Sequence, residues 1–312
     1  MINLRYHVVS LIAVFLALTV GIVMGSTVVD RVTVDALNER VSSVSRSVSN
    51  AEAENRRLNG ELGTVREFAD QARDHLVQGR LQGVPVLVVA VAGVDRTPVD
   101  GLRDALVESQ ATLAGTLWFT GKMRLDNDAD LRVLATTLGL GVDQPEVLRG
   151  QALARVADTL GGTSDTALGD PTLAALTTAG FVTYEAPPGQ ATSVLPPTSP
   201  LPESVRVVLV SGAGAGVGDD RLALPLAQDL GPATGRLVAT ESGQDTPGGR
   251  GVFVGLLRND DAVAGRVSTV DNLETPMGQA AVVLALEDLA APRTGHFGVG
   301  PGAQRLLPAG RT

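Results

Sequence analysis

The sequence contains no cysteine among its 312 residues. This absence excludes disulfides, cysteine-ligated zinc, iron–sulfur clusters, lipoprotein acylation and thiol catalysis. Histidine and methionine are scarce as well, with three and four residues, so few other soft or borderline metal ligands remain. Aromatic residues make up 3% of the chain, which argues against an aromatic stacking surface for nucleic-acid strands.

Positive charge is also in short supply. The chain carries 25 basic and 34 acidic residues, a net charge of −9, whereas a nucleic-acid binder would show a basic face. Residues 1–80 hold nine Arg against nine Asp and Glu, so the net negative charge lies entirely in residues 81–312. The first quarter of the chain is therefore a different kind of structure from the rest.

The amino-terminal segment is long, apolar and uncharged. From Tyr6 to Val29 there is no Asp, Glu, Lys or Arg, and Arg5 precedes this run while Asp30 follows it. At about 1.5 Å per residue the run can cross a hydrocarbon core of about 30 Å. We predict a transmembrane signal-anchor helix over residues 1–29, with the N-terminus in the cytoplasm and the remainder outside by the positive-inside rule. The alternative is a cleaved signal peptide.

Two glycines in this segment, Gly21 and Gly25, form a GxxxG pattern. Small residues at this spacing let two membrane helices approach closely. Gly21 and Gly25 are therefore candidate dimer-interface residues. The alternative is that glycine is simply common in membrane helices.

Residues 30–80 show a heptad pattern. Apolar residues alternate at spacings of three and four for about six heptads, which predicts a coiled coil. With Val34 at position a, valine at successive a positions and one Asn at a favour a parallel dimer. The alternative is a helix that packs its apolar stripe on its own domain. The predicted interface residues are Val41, Val44, Val48, Asn55, Leu58 and Leu62.

Residues 81–292 predict an extracytoplasmic α/β domain. Continuous apolar runs, as in strands buried on both faces, alternate with helical stretches, so we expect a mostly parallel, layered sheet. Predicted strands cover residues 84–92, 115–120, 181–184, 205–210, 236–240, 252–257 and 267–270.

The ends of three helices can also be predicted. Residues 126–130 should cap a helix that stops at Gly139, and another should run from Pro145 to just before Gly161. Thr275 and Pro276 should open a third, which is apolar all round over residues 280–286 and therefore buried.

Two remaining segments predict irregular structure. Residues 186–202 are proline-rich, typical of an extended loop or linker. The tail, residues 293–312, is glycine-rich.

The sequence does not match the common phosphate-binding loop or catalytic-triad patterns. The glycine-rich segment 211–218 follows an apolar strand but does not match G-x-G-x-x-G, so a turn is the default interpretation. No catalytic triad can be assembled, and the sequence predicts neither an enzyme nor a bound cofactor.

Asp271 and Asn272 are the strongest candidates for a ligand or partner site in this sequence. Asp271 and Asn272 follow a short strand and precede the predicted buried helix, a position where α/β sheets bind ligands. An ordinary turn is the alternative. His296, in the glycine-rich tail, is a weak candidate metal ligand.

Both ends of the chain resemble one family. The block Ile2–Leu18 with Gly21 and Gly25, the block Val267–Asn272 and the segment Gly295–Gly298 are similar to actinobacterial MctB-type proteins, called mycobacterial copper transport protein B or copper transport outer membrane proteins. The run Phe181–Tyr184 is similar too. The resemblance implies a cell-envelope protein linked to copper efflux or resistance, described as channel-forming, with outer-membrane association.

Two functions therefore stay open. The first is a copper-linked envelope transporter or channel component. The second is a membrane-anchored coiled-coil scaffold whose head binds envelope partners, such as cell-wall enzymes in growth or cell separation. In both, the expected partners are a second copy of the chain and the membrane, and nucleic acid is not expected.

Overall fold

The computed structural model describes residues 4–142, 144–161, 171–189, 205–243, 252–291 and 293–310. The chain divides into two compact units, Met1–Val65 and Arg66–Thr312, and each is described by itself. The second unit contains the sheet and is called the head below.

Helix α1 covers Leu4–Val77. Its segment Arg5–Gly25 is long and apolar enough to cross a membrane, and none of it is buried in the protein. A Cβ atom at Gly21 or Gly25 would meet no atom within 4 Å, so this face of the helix is open to a close neighbour. The predicted amino-terminal apolar helix is thus present.

The apolar stripe in the middle of α1 is exposed. Val41, Val44, Val48, Leu58 and Leu62 are each at least 44% exposed, so the protein's own fold does not cover them. The coiled coil itself and its dimer stay predictions.

The last turn of α1 belongs to the head core. Val77 is fully buried, and the half-buried Leu76 packs against the same apolar cluster. Arg73 Nη1 donates to Gln279 Oε1 at 2.8 Å. The heptad pattern therefore continues to Leu76 in sequence, but its last position packs within the chain.

The head is built on one sheet of seven strands within the described residues, in the order β3-β2-β1-β4-β5-β6-β7. Neighbouring strands are parallel except β2 and β3, which are antiparallel, so the predicted mostly parallel sheet is confirmed. The strands are β1 Pro85–Val91, β2 Thr112–Phe119, β3 Val182–Glu185, β4 Arg206–Gly212, β5 Leu237–Ser242, β6 Ser268–Val270 and β7 His296–Phe297.

Helices cover both faces of the sheet, which explains why its strands are continuously apolar. In β1, Leu87, Val89 and Val91 face the core formed with α3 to α8, and the intervening residues face the core formed with α2, α9 and the end of α1. The helices after α1 are α2 Arg96–Glu108, α3 Asp128–Leu138, α4 Pro145–Gly161, α5 Thr172–Thr178, α6 Ala223–Thr234, α7 Phe253–Arg258, α8 Asp261–Ala264 and α9 Pro276–Asp288.

The predicted helix ends are confirmed. Asn127 caps α3 by accepting from Asp130 N at 2.8 Å, and α3 ends at Gly139 in the left-handed conformation. Thr275 Oγ1 accepts from Gly278 N at 3.0 Å with Pro276 in the first turn of α9. Residues 280–286 of α9 are all buried, as a helix that is apolar all round requires.

One predicted strand is wrong. Residues 252–257 were expected to be a strand, but Phe253–Arg258 is helix α7. A short apolar run cannot be distinguished from a buried helical turn by its pattern alone. Phe253 and Leu257, four residues apart, are both fully buried while Leu256 is exposed, as on a helix with one face on the core.

The sequence predicts irregular structure in residues 186–202 and 293–312. The proline-rich segment 186–202 lies outside the described residues from position 190 onward. The glycine-rich tail is not wholly irregular, because His296 and Phe297 form β7 and pair with β6.

Candidate functional site

The strand order reverses between β1 and β4, and parallel sheets commonly bind ligands at the carboxyl ends of such strands. Here the glycine-rich loop after β4 packs directly on the loop after β1. Gly216 N donates to Ala92 O at 2.7 Å, and a Cβ at Gly93 would lie 2.4 Å from Gly214 O. The glycines thus permit backbone-to-backbone packing, in agreement with their interpretation as a turn.

A cavity lies further along the same edge, beside the ends of β5 and β6. Its volume is about 650 Å³, within the usual range of small-molecule sites. Part of its lining is apolar, from Val252, Val254, Leu256 and Pro301, and part is polar, from Glu241, Arg258, Asp271 and His296. Two residues singled out in the sequence, Asp271 and His296, therefore line one cavity.

Both oxygens of the Asp271 carboxylate accept hydrogen bonds. Oδ2 lies 2.6 Å from Arg258 Nη1, and both side chains are only 5% exposed. Val299 N and Gly300 N each donate to the carboxylate at 2.8 Å. The carboxylate thus holds the glycine-rich tail against the end of β6, which is a structural task. A direct role of Asp271 in ligand binding stays a prediction.

Arg258, at the end of α7, completes this arrangement. Its Nε donates to Thr269 Oγ1 at 2.9 Å, and its Nη1 and Nη2 donate to Pro301 O and Phe297 O at 2.9 and 2.8 Å. One guanidinium therefore connects α7, β6 and the tail. Its positive charge is balanced by Asp271.

Asn272 does not share the cavity with Asp271. Its side chain points toward the start of α9, where Nδ2 donates to Thr275 Oγ1 at 3.1 Å. The residue is 3% exposed, and its Oδ1 is buried without a hydrogen-bond partner. The structure therefore separates the two residues that the sequence placed in one candidate site.

Glu241, at the end of β5, was not found by sequence reasoning. It is 5% exposed, and its Oε2 accepts from Val254 N at 2.9 Å. Burial, reinforced by the nearby Asp271 and Asp219 carboxylates, raises its pKa to about 7. The one signal in the sequence is a carboxylate that directly follows the predicted strand 236–240.

Asp219 and Ser211 stand nearby, at the end of β4. Ser211 Oγ donates to Asp219 Oδ1 at 2.5 Å in the glycine-rich loop. Burial raises the pKa of Asp219 despite this hydrogen bond. Asp219 thus joins Asp271 and Glu241 as a third buried carboxylate at the same edge of the sheet.

His296 is held by a hydroxyl group. Its Nδ1 lies 2.9 Å from Thr269 Oγ1, which already accepts from Arg258. In the neutral tautomer that carries its proton on Nε2, Nδ1 accepts from this hydroxyl. Burial, with a smaller effect of the Arg258 charge, lowers the pKa of His296, which favours this neutral form.

His296 is not part of a metal-binding cluster in the described part of the chain. Among those residues, no three His, Asp or Glu side chains lie together in an arrangement that could hold a metal ion. The cavity therefore offers a buried carboxylate, a neutral imidazole and a balanced ion pair, surrounded by apolar side chains.

Comparison with known proteins matches nearly the whole chain. Residues 1–308 match the family described as "Copper transport outer membrane protein, MctB". The chain is 29% identical to proteins named "Copper transporter MctB" from Mycobacterium tuberculosis and Mycobacterium bovis, over 98% of this chain and 99% of each relative. The protein of the same name from Mycobacterium leprae is 30% identical over the same shares.

Proposed function

Because the chain belongs to the MctB family, we propose that it is a membrane-anchored cell-envelope protein that contributes to copper efflux or copper resistance. The observation that carries this proposal is the family match over residues 1–308, together with the apolar helix Arg5–Gly25. The family is described by transport rather than by an enzymatic reaction.

The proposed topology places the N-terminus in the cytoplasm and the head outside, because Arg5 precedes the apolar helix and acidic residues follow it. Within the described residues, Arg5–Gly25 is the one helix that could cross a membrane. A channel would therefore need the helices of several copies.

The stalk of this anchored protein is proposed to be a parallel coiled-coil dimer. Its exposed valine and leucine stripe lies on one long helix, and two copies anchored at the same end of one bilayer can pair only in parallel. The open face at Gly21 and Gly25 would extend the same pairing into the membrane.

A scaffold is the second candidate function. The exposed stripe on α1 favours it, since an anchor, stalk and head can present a surface to envelope partners such as cell-wall enzymes. In this alternative, the copper phenotype would be indirect or absent.

A deletion strain tests the proposal. Loss of the protein should lower growth in copper-supplemented medium, and the full-length chain should restore it, whereas a chain lacking residues 1–25 should not, because its head would stay in the cytoplasm. Unchanged copper tolerance together with altered cell shape or septation would contradict the copper proposal and favour the scaffold.

Conductance separates a channel from a scaffold. Purified full-length protein in a planar bilayer should give copper-permeable single-channel currents if several copies form a pore. A silent bilayer, with the protein shown to be inserted, would contradict the channel role. An alkaline-phosphatase fusion at the C-terminus should be active in cells, and an inactive fusion would contradict the proposed topology.

A further inference from the structure

Among the described residues that line the cavity, the Glu241 carboxylate is the one charged group without an ion-pair partner. Its Oε2 accepts from Val254 N, but its Oε1 has no hydrogen-bond partner among the described residues, although the side chain is more than nine-tenths buried. This oxygen is not among the fully buried side-chain atoms that lack a partner in the described residues, so it is open to a donor supplied from outside the chain.

The other charged side chains among the described lining residues are already matched. Arg258 directs its donors at Asp271, Thr269 and two tail carbonyls, and Asp271 accepts from Arg258 and two backbone amides. His296 is neutral, with its Nδ1 engaged by Thr269. The ion pair contributes no net charge, so an ionised Glu241 gives the described lining residues one excess negative charge.

The size and walls of the cavity indicate an organic ligand rather than a bare ion. A volume of about 650 Å³ is far larger than a metal ion needs and fits a small organic molecule. Val252, Val254 and Leu256 provide apolar contacts, and the described residues bring no three metal ligands together there.

We propose that this cavity binds a small organic cation, in which an ammonium or amidinium group donates to Glu241 Oε1 and an apolar body lies against Val252, Val254 and Leu256. Charge-assisted hydrogen bonds to a carboxylate are roughly twice as strong as hydrogen bonds between neutral groups. The inference concerns the head alone and does not depend on the function proposed above.

Benzamidine is the probe, compared with its neutral isostere benzamide and its anionic isostere benzoate. Full-length protein in lipid nanodiscs is titrated with each compound at about pH 8, above the raised pKa of Glu241, and binding is followed by ligand-observed NMR. We expect benzamidine to bind at least about tenfold more tightly than benzamide, and benzoate not to bind, because one charge-assisted hydrogen bond is worth about that factor.

Two variants locate the binding. Glu241→Gln removes the charge and should weaken benzamidine binding about tenfold or more. Gly255→Leu should block the cavity, since Gly255 lines it and a Cβ there meets no atom within 4 Å, so the helix can accept the side chain. The exposed acid Asp104 gives the matched control, and Asp104→Asn should bind benzamidine as the wild type does.

Fluorescence of Trp118, the single tryptophan, reports whether each variant is folded. If Glu241→Gln does not fold, Gly255→Leu alone decides the location. Equal affinity for benzamidine and benzamide would overturn the proposal, because the cavity would then be merely apolar. Unchanged benzamidine affinity in both folded variants would overturn it as well.

Discussion

The ion pair between Arg258 and Asp271 is the point where three parts of the head meet. Removing one partner of a buried pair leaves the other charge unmatched, at a cost of about 3–5 kcal/mol. Asp271→Asn should therefore lower the free energy of unfolding by about that amount, measured by urea unfolding of the full-length protein with Trp118 fluorescence. A loss no larger than that of the exposed control Asp104→Asn, about 0.5 kcal/mol, would contradict the structural role assigned to this carboxylate.

Glu241 should make the stability of the head depend on pH. Its pKa is raised by burial from an ordinary value of 4.5 to about 7, so between these values the folded state keeps a proton that the unfolded state has released. The free energy of unfolding should then fall as pH rises through this window, by about 3 kcal/mol in total.

Comparison with Glu241→Gln isolates this effect. The raised pKa of Asp219 acts in the same direction, and the lowered pKa of His296 acts in the opposite one, but both remain in the variant. Relative to wild type, Glu241→Gln should gain stability as pH rises from about 4.5 to 7. A constant difference between the two unfolding curves across that range would contradict a raised pKa.

At the scale of single residues, the sequence predicts some of the polar residues that line the cavity and misses others. Asp271 and His296 could be found because polar residues near the ends of strands, or soft ligands in a chain with few, stand out from their neighbours. Glu241 and Arg258 could not, because their significance depends on packing. A glutamate at the end of a strand and an arginine at the end of a short helix look like ordinary surface residues until the tail folds over them.

At the scale of elements, the exposed stripe of α1 tests the coiled-coil proposal directly. Single cysteines are informative because the native chain has none. Cysteine at Val44 or Leu58, both d positions, should form disulfide-linked dimers in the membrane, because d residues of a parallel pair face each other across the axis. The matched control is Arg46→Cys, at the outward-facing f position, which should crosslink little.

Equal crosslinking at positions 44, 46 and 58 would indicate random collision rather than a coiled coil. Absence of crosslinking at 44 and 58, with the protein sedimenting as a monomer, would leave the stripe without a second copy as its partner.

Most elements could be predicted because their signals are local. Continuous apolar runs identify strands buried on both faces, and the caps at Asn127 and Thr275 mark helix starts through side-chain oxygens that accept from nearby backbone amides. The helix at Phe253–Arg258 was mistaken for a strand because six residues are too few to separate the two periods. Its identity depends on the core face that Phe253 and Leu257 share.

At the scale of the whole molecule, a helix apolar enough to cross a membrane, a long exposed stripe and a layered head follow one another along the chain. The charge distribution follows this division, because the net charge of −9 is carried entirely by residues 81–312. Family membership then connects these parts to copper, while the chemistry of the head residues does not by itself indicate which group would carry the metal.

The ligand inventory of the whole chain leads to a last prediction about copper. Copper(I) prefers sulfur and imidazole ligands, and residues 81–312 offer Met123, Met277 and His296. Met123 is fully buried in the core beside β2, Met277 lies in the first turn of α9, and His296 is engaged by Thr269, so these ligands do not converge on one point. In competition with a Cu(I) chelator, the full-length protein should therefore bind copper weakly, and His296→Ala should leave the titration unchanged. One tightly bound equivalent that disappears in His296→Ala would contradict this expectation and would make direct copper binding by the head the better account of the family's transport role.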